Sequence, residues 1–316
     1  LNTTGIDNIA VGRAALLNNT IGQNNVAIGM KSMRMNTEGA NSIAIGRYSL
    51  HENTTGNNNI ALGQYSLSSN TTGQSNVAVG ANALDANTTG YSNVAIGSES
   101  LNFSTTGYEN IAIGLQALYS NTTAADYVAM GYKTLYLNTT GAENTALGSF
   151  AMNLNTTGAN NVAVGYTALL ANTTGERNTA LGYQALNKSS GTSNTGVGYS
   201  ALPDITSGTY NIGIGESALF SNTTGSNNVA IGFLAGGRAL GSGNVFIGNQ
   251  AGNQASNSNI NNKLYIDNSN TAFPLIKGDF ATDVLTVNGT LQITGGNPGA
   301  GKVLTSDGNG FAAWAT

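Results

Sequence analysis

The sequence returns to one pentapeptide, Asn25-Val26-Ala27-Ile28-Gly29, for most of its length. Its glycine recurs in fifteen copies, and twelve of the fourteen intervals between them are 17 residues long while two are 16. The copies are Gly12, Gly29, Gly46, Gly63, Gly80, Gly97, Gly114, Gly131, Gly148, Gly165, Gly182, Gly198, Gly215, Gly232 and Gly248. A short period held over this distance predicts a solenoid with one coil per repeat.

Each unit contains the same local signals. Branched residues flank a small one, as in Val26-Ala27-Ile28, which is the period-2 pattern of a strand. A second short strand is expected at an Ala-Leu pair such as Ala83-Leu84, with the leucine closing the core from the opposite side. Between them, Asn-Thr-Thr-Gly predicts a turn in which glycine supplies positive φ and the Asn and Thr side chains bond nearby backbone. We therefore predict an all-β, parallel β-roll solenoid of about 15 coils; a three-sided β-helix is the alternative.

The middle strand position is alanine in twelve of the fifteen units. A solvent-facing position would drift towards Thr, Lys or Glu, so constant smallness indicates close approach of another backbone. We interpret it as a seam between copies of the chain, with the branched residues turned into each subunit's own interior. Symmetry permits a dimer or a trimer, and we favour a homotrimer. The predicted interface residues are Ala27, Ala44, Ala61, Ala78, Ala95, Ala112, Ala146, Ala163 and Ala180.

The register loosens towards the C-terminal end of the array. Pro203, the two 16-residue units, and Gly236 and Gly252 in place of the leucine mark a changing cross-section. We divide the chain into a repeat shaft at 1–252, a linker at 253–262 and a β-rich trimeric neck at 263–316. Six strands are predicted in the neck, at 263–266, 274–277, 283–288, 290–294, 302–305 and 311–315, with a hairpin turn at Asn288-Gly289. Because Leu1 enters in the middle of a repeat, we expect a fragment or processed product.

Composition argues against several classes of function. Charged residues are 8% of the chain and the net charge is -4, so there is no basic stripe for nucleic acid. No apolar run is long enough to span a bilayer, and cysteine is absent, which fits an extracellular fibre. His51 is the only histidine and is expected at the surface, and the carboxylates are scattered. We therefore predict no enzyme, no cofactor and no metal site.

Three readings of the turns stay open. Calcium is an option at Asp- and Asn-rich turns, although the regular Asp-bearing nonapeptide of calcium-binding β-rolls is absent. Asn-Thr-Thr also matches the glycosylation sequon, which repetition of a structural turn explains without modification. The paired threonines suggest an ice-binding ladder as a minor alternative.

Aromatic residues recur at the two variable positions after each motif glycine. An exposed ring can stack on a sugar or anchor a protein partner, whereas the plainer interpretation is packing along the outer surface or between subunits. The candidate ligand-contacting residues are Tyr48, Tyr65, Tyr132, Tyr166, Tyr183 and Tyr199, and Phe150 and Phe233 share these positions.

The motif resembles a known family. Asn25-Val-Ala-Ile-Gly29 and Asn93-Val-Ala-Ile-Gly97, each followed by an Ala-containing segment, resemble the head repeats of YadA-type trimeric autotransporter adhesins over residues 1 to about 250. That resemblance implies a left-handed parallel β-roll and a tightly bound homotrimer, although the 17-residue period is longer than the family's usual unit.

The C-terminal part carries a second resemblance. Lys263-Leu-Tyr-Ile-Asp-Asn268 through Gly301-Lys-Val-Leu-Thr-Ser-Asp307 is similar to tail-fibre-like surface proteins of Bacteroidetes. Together the two resemblances imply an extracellular fibre, borne by a cell as an adhesin or by a phage or contractile injection particle as a tail fibre. Fifteen coils at about 4.8 Å each predict a length on the order of 70 Å. The expected partners are copies of itself and a host or surface glycan or protein receptor.

Overall fold

The computed structural model describes residues 3–254 and 259–289, together with the backbone of the strands at 303–306 and 312–315. All regular structure in these ranges is β, and no helix capable of crossing a membrane occurs there. The shaft strands are β1 Ile9–Val11, β2 Val26–Ile28, β3 Ile43–Ile45, β4 Ile60–Leu62, β5 Val77–Val79, β6 Val94–Ile96, β7 Ile111–Ile113, β8 Val128–Met130, β9 Thr145–Leu147, β10 Val162–Val164, β11 Thr179–Leu181, β12 Thr195–Val197, β13 Ile212–Ile214, β14 Val229–Ile231 and β15 Val245–Ile247. The remaining strands are β16 Lys263–Ile266, β17 Ile276–Asp279, β18 Val284–Val287, β19 Val303–Ser306 and β20 Ala312–Ala315.

The repeat is one coil of a parallel β-solenoid, as the period predicts. Each shaft strand pairs in parallel with the strand of the next coil, so that Ala95 lies beside Ala78 and Ala112. The same register holds from β1 to β15, because every unit places its three-residue strand at the same point of the coil. Fifteen coils at about 4.8 Å each give a shaft on the order of 70 Å long.

The prediction of a second strand at the Ala-Leu pair is wrong. The Ala-Leu segment forms turns, and its leucines have left-handed backbone, for example Leu84 with φ of 50° and Leu118 with φ of 52°. These turns still join the coils, because the Leu84 N–H donates to the carbonyl of Ser100 at 3.0 Å. The predicted role of the leucine is confirmed, since Leu84 and Leu118 are completely buried opposite the strand.

The alanines do not form an interface, which corrects the prediction made from their size. Ala27, Ala44, Ala61, Ala78, Ala95, Ala112, Ala146, Ala163 and Ala180 are each fully buried inside a single chain. The second backbone that they approach is the opposite wall of their own coil, where the leucines lie. A 17-residue coil is so thin that a methyl group and one leucine fill it, and the branched residues therefore point outward.

Buried asparagines form two ladders along the shaft. In the turn ladder, the Asn53 amide donates to Asn36 Oδ1 at 2.8 Å and to the carbonyl of Gly56 at 3.0 Å. In the strand ladder, the Asn76 amide donates to the carbonyl of Gly90 at 2.9 Å. Both predicted types of turn bond are thus confirmed, because the Thr54 hydroxyl also donates to the next coil's backbone. The ladders satisfy polar groups that the thin interior cannot hydrate.

Two kinds of glycine make this stacking possible. The motif glycine has positive φ, and a Cβ on Gly97 would lie 2.4 Å from the carbonyl oxygen of Gly114. The turn glycine does not have positive φ, contrary to our prediction. It is required for space instead, since a Cβ on Gly56 would lie 2.3 Å from the carbonyl oxygen of Gly73 and 2.4 Å from Asn53 Oδ1.

At the end of the shaft, one large inward side chain replaces an alanine and the leucines beside it are missing. Phe246 replaces the inward alanine of β15 and is fully buried. Its ring occupies the space left by the missing leucines, because a Cβ on Gly236 or Gly252 would lie 2.5 or 2.3 Å from the ring. Tyr265 of β16 then stacks on Phe246, with ring centroids 5.8 Å apart. These substitutions explain the change in cross-section seen in the sequence.

Three strands follow the last coil in the same sheet. β16 pairs in parallel with β15, whereas β17 and β18 continue the sheet antiparallel. The predicted strands at 263–266 and 283–288 are found, and the one at 274–277 lies slightly later, at Ile276–Asp279. β19 and β20 form a separate antiparallel pair. The predicted strand at 290–294 lies outside the described residues, so the predicted hairpin at Asn288-Gly289 stays a prediction.

Candidate functional site

The outward side of the parallel sheet carries two columns of uncharged and mostly aliphatic side chains, here called the aliphatic stripe. Its members are exposed or half-buried, for example Ile43 at 37% and Ile45 at 41% exposure. The first column is Ile9, Val26, Ile43, Ile60, Val77, Val94, Ile111, Val128, Thr145, Val162, Thr179, Thr195, Ile212, Val229 and Val245. The second is Val11, Ile28, Ile45, Leu62, Val79, Ile96, Ile113, Met130, Leu147, Val164, Leu181, Val197, Ile214, Ile231 and Ile247. No charged residue interrupts either column.

The stripe does not stop at the last coil. The strand register aligns Val245 with Leu264, Leu264 with Gly278 and Gly278 with Leu285, which extends the first column. The second column continues through Ile266, Ile276 and Val287 in the same way. Leu285 is 65% exposed and Val287 37% exposed. One apolar face therefore runs from β1 to β18, across the change from parallel to antiparallel pairing.

Sequence reasoning missed this stripe as a surface. The period-2 pattern showed that Val and Ile share one face and Ala the other, but it did not show which face is internal. None of the thirty stripe positions carries a charged residue, and this pattern, which is visible in the sequence, could have identified the stripe. Both faces of the strand are apolar, and the narrow interior of the coil determines that the alanine face is the buried one.

The aromatic candidates form two ladders at a corner beside the stripe. Tyr48 stacks on Tyr65 with centroids 5.1 Å apart and an interplanar angle of 16°. In the second ladder Tyr132, Phe150, Tyr166, Tyr183 and Tyr199 follow one another at centroid distances of 5.1, 6.2, 5.5 and 5.0 Å. Tyr132, Tyr166, Tyr183 and Tyr199 are 39–55% exposed, whereas Tyr48 and Tyr65 are half-buried.

Stacking limits what these rings can bind. Tyr183 is nearly parallel to both Tyr166 and Tyr199, at 14° and 6°, so both of its faces are covered by neighbours. The ring edges and hydroxyl groups remain towards the solvent, which suits hydrogen bonding better than stacking on a sugar. The packing of the rings along the outer surface, the plainer of our two interpretations, is therefore observed.

The N-terminal ladder carries positive charge. The Lys31 ammonium donates to the Tyr48 hydroxyl at 3.0 Å, and the Arg47 guanidinium lies 5.2 Å from the Tyr48 ring centroid. The hydrogen bond from Lys31, together with the nearby charges, lowers the pKa of Tyr48 below its usual value. This corner combines cations with aromatic rings, a cation–π arrangement that rigidifies the surface.

The Asn-Thr-Thr turns separate buried from exposed groups. Asn53, Asn70 and Asn87 are fully buried and engaged in the turn ladder, so a glycan cannot be attached to them in the folded chain. The first threonine of each turn donates its hydroxyl to the next coil, as Thr71 does to Thr88 at 3.0 Å. The second is exposed, and Thr55, Thr72, Thr89, Thr106, Thr123, Thr140, Thr157 and Thr174 form a single outward column.

The titratable groups with shifted pKa values are dispersed along the described part of the chain. His51 is half-buried rather than at the surface, with its ring centroid 5.1 Å from that of Tyr48 and its Nε2 without a hydrogen-bond partner among the described residues. Burial lowers the pKa of His51 and raises the pKa of Asp85, which accepts a hydrogen bond from Ser68. Within 3–254 and 259–289, no three His, Asp or Glu side chains lie close enough together to hold a metal ion.

The stripe is thus a continuous apolar surface along the described strands β1 to β18, and the aromatic ladders lie beside it. Comparison of the chain with protein-family models, with curated proteins and with solved structures finds no match.

Proposed function

We propose that this chain is a segment of an extracellular, homotrimeric attachment fibre, in which the aliphatic stripes of three copies meet about a common axis. The observation that carries the proposal is the uncharged, outward-facing stripe. Its two columns are about 7 Å apart and run for about 70 Å, which covers on the order of 500 Å². This is at the upper end of the roughly 300–600 Å² of the largest apolar patch on a soluble monomer, and such patches are often functional.

Copies of the same chain are the best occupants. The stripe repeats every coil in the same register, so a second copy can match it coil by coil. About a threefold axis, the first column of one copy would pack against the second column of the next. Each contact would use one column, about 250 Å² of the stripe per partner. Flanking side chains would have to supply the rest of the roughly 800 Å² per partner of a stable interface. The alanine seam of the sequence-based prediction is thereby replaced by a valine and isoleucine seam.

The fibre role follows from shape and from resemblance. A rod of stacked coils is suited to hold a binding surface away from its support. The likeness of Asn93-Val-Ala-Ile-Gly97 to YadA-type head repeats supports a left-handed roll, a trimer and an adhesive role. A particle-borne tail fibre is the alternative, which the C-terminal resemblance favours. Ice binding remains the minor alternative, and the single exposed threonine column is its only support.

The trimer is tested by mass. Sedimentation equilibrium of the protein should give three times the 32.1 kDa of one chain. Ile96→Lys together with Ile113→Lys places two charges in the seam and should produce monomer or aggregate, because a buried unpaired charge costs several kcal/mol. Thr89→Lys, an exposed change on the turn, is the control and should leave the trimer intact. A monomeric wild-type protein, or a trimer that tolerates both lysines, would contradict the proposal.

The terminal strands allow a finer test of the same seam. Val284 and Leu285 are adjacent on β18, 54% and 65% exposed, and point to opposite faces. Leu285→Lys should weaken the trimer, since Leu285 continues the stripe, whereas Val284→Lys should not. Equal effects would show that the seam ends with the shaft. Attachment itself is tested by probing a glycan array and intact cells with the trimer, and binding to neither would refute the adhesive role.

A further inference from the structure

A cleft lies on the side of the terminal sheet opposite the stripe. Because side chains alternate along β16, β17 and β18, Lys263, Lys277, Asp279 and Thr286 share the face away from Leu285. Together with the segment that carries Phe273, they line an open cavity of about 440 Å³. That volume is within the range of small-molecule sites. In the proposed trimer this face points away from the seam.

The cleft is positive within an acidic protein. The Lys263 ammonium lies 2.5 Å from Asp279 Oδ2, and Asp279 Oδ1 accepts a hydrogen bond from the Ala281 N–H at 3.0 Å. The hydrogen bond from Lys263 and that from Ala281 lower the pKa of Asp279, which is therefore a fixed anion. Lys277 has no ion-pair partner among the described residues, and its Nζ lies 5.8 Å from the Tyr265 ring centroid. One positive charge of the cleft is thus left uncompensated.

Neutral groups around Lys277 complete the lining. Thr286 lies directly across from Lys277 in the strand register, which places a hydroxyl beside the ammonium. Thr282 and Asn288 add further polar groups. The ring of Phe273 is 79% exposed at the edge of the cavity, and unlike the stacked tyrosines of the shaft it has no stacked aromatic neighbour among the described residues. A cation, hydroxyl donors and an open aromatic face therefore surround one cavity.

We propose that this cleft binds a sugar that bears a carboxylate. The Lys277 ammonium would pair with the carboxylate, and the Thr286 hydroxyl would donate a second hydrogen bond to it. Sugar hydroxyl groups would bond Thr282, Asn288 and the fixed Asp279 carboxylate, while the apolar face of the sugar ring packs on Phe273. This inference deepens the attachment function proposed above, because it places glycan recognition at the end of the rod instead of along the aromatic ladders.

Calorimetric titration of the purified full chain tests the proposal. The probes are 3′-sialyllactose and a hyaluronan tetrasaccharide, which present the carboxylate on different sugars, with lactose as the neutral control. At least one acidic sugar should bind about tenfold or more tightly than lactose. Lys277→Gln should reduce that affinity by roughly tenfold or more, as expected when a charge-assisted hydrogen bond is lost, and Phe273→Ala should also reduce it.

Matched variants make each outcome decisive. Lys188→Gln removes an exposed lysine of the shaft and should leave sugar affinity unchanged. Lys277→Arg keeps the charge and should retain most of the affinity. Equal binding of lactose, equal competition by inorganic phosphate, or unchanged affinity in Lys277→Gln would overturn the cleft as a sugar-acid site. If the trimer still attaches to cells or neutral glycans in that case, only this inference fails and the attachment function stands.

Discussion

One substitution should strengthen the shaft, because a short side chain interrupts the turn ladder after Asn87. From Asn36 to Asn87 each amide donates to the Oδ1 of the preceding coil at 2.7–2.8 Å. The next position is Ser104, whose hydroxyl does not reach Asn87. Among the described residues, Asn87 Oδ1 and Ser104 Oγ are both buried without a hydrogen-bond partner, and the Asn121 amide donates only to the carbonyl of Ala124. Ser104→Asn should close this gap.

The expected gain can be worked out from the bonds restored. By analogy with the intact coils, an asparagine at 104 would donate to Asn87 Oδ1 and to the Gly107 carbonyl, and would accept from the Asn121 amide. Three hydrogen bonds at about 1 kcal/mol each, less the entropy of fixing a longer side chain, give a net gain of about 2 kcal/mol. The turn around Ser104 has the full Ser-Thr-Thr-Gly length, so no backbone change is needed.

Hydrogen exchange is the appropriate assay, because stability in a solenoid is local. A gain of about 2 kcal/mol should slow exchange of protected amides in coils 87–124 by roughly 30-fold, with little change at 19–53. Ser189→Asn is the matched control. Ser189 also interrupts the ladder beside an unpartnered Asn172 Oδ1, but its turn is one residue shorter, with Gly191 two positions on instead of three. The control should gain less than half as much.

Two results would refute this reasoning. Unchanged or faster exchange in Ser104→Asn would show that the interior does not admit the asparagine, or that the ladder bonds contribute nothing net. An equal gain in both variants would show that the Gly carbonyl three residues on is not part of the ladder's stabilisation.

Two further predictions concern the coil. Gly97→Ala should destabilise its coil by at least about 2 kcal/mol in urea unfolding, because φ of Gly97 is +135° and an added Cβ would meet the Gly114 carbonyl. The neighbouring substitution Ser98→Ala is the control and should change stability by less than about 0.5 kcal/mol. Asp85→Asn should stabilise the folded chain at pH 7. Burial raises the pKa of Asp85 in the folded state above its ordinary value of 3.8, so the ionised carboxylate opposes folding at neutral pH. The wild-type protein therefore regains this stability as the pH falls through the folded-state pKa. Urea unfolding should therefore show a smaller difference in the free energy of unfolding between Asp85→Asn and wild type at pH 4 than at pH 7. The same difference at both pH values would contradict this prediction.

The periodicity determined the fold class. Fifteen glycines at a nearly constant interval specify stacked coils, and Val26-Ala27-Ile28 specifies the strand in each coil. The leucine opposite the strand and the hydrogen bonds of Asn53 and Thr54 also follow from local chemistry, because each is made within one turn or to the next identical unit.

Only the tertiary structure determined which face of each strand points into the coil. The alternation that separates Ala95 from Val94 and Ile96 is symmetric with respect to inside and outside, and burying the larger residues was the natural assumption. Closing 17 residues into a coil leaves room for Ala95 and Leu84 but not for two branched side chains as well. The aromatic ladders and the cleft at Lys277 arise in the same way, from residues that only stacking and strand reversal bring together. Local pattern thus determined which residues share a face, and the space inside the closed coil determined which face is buried.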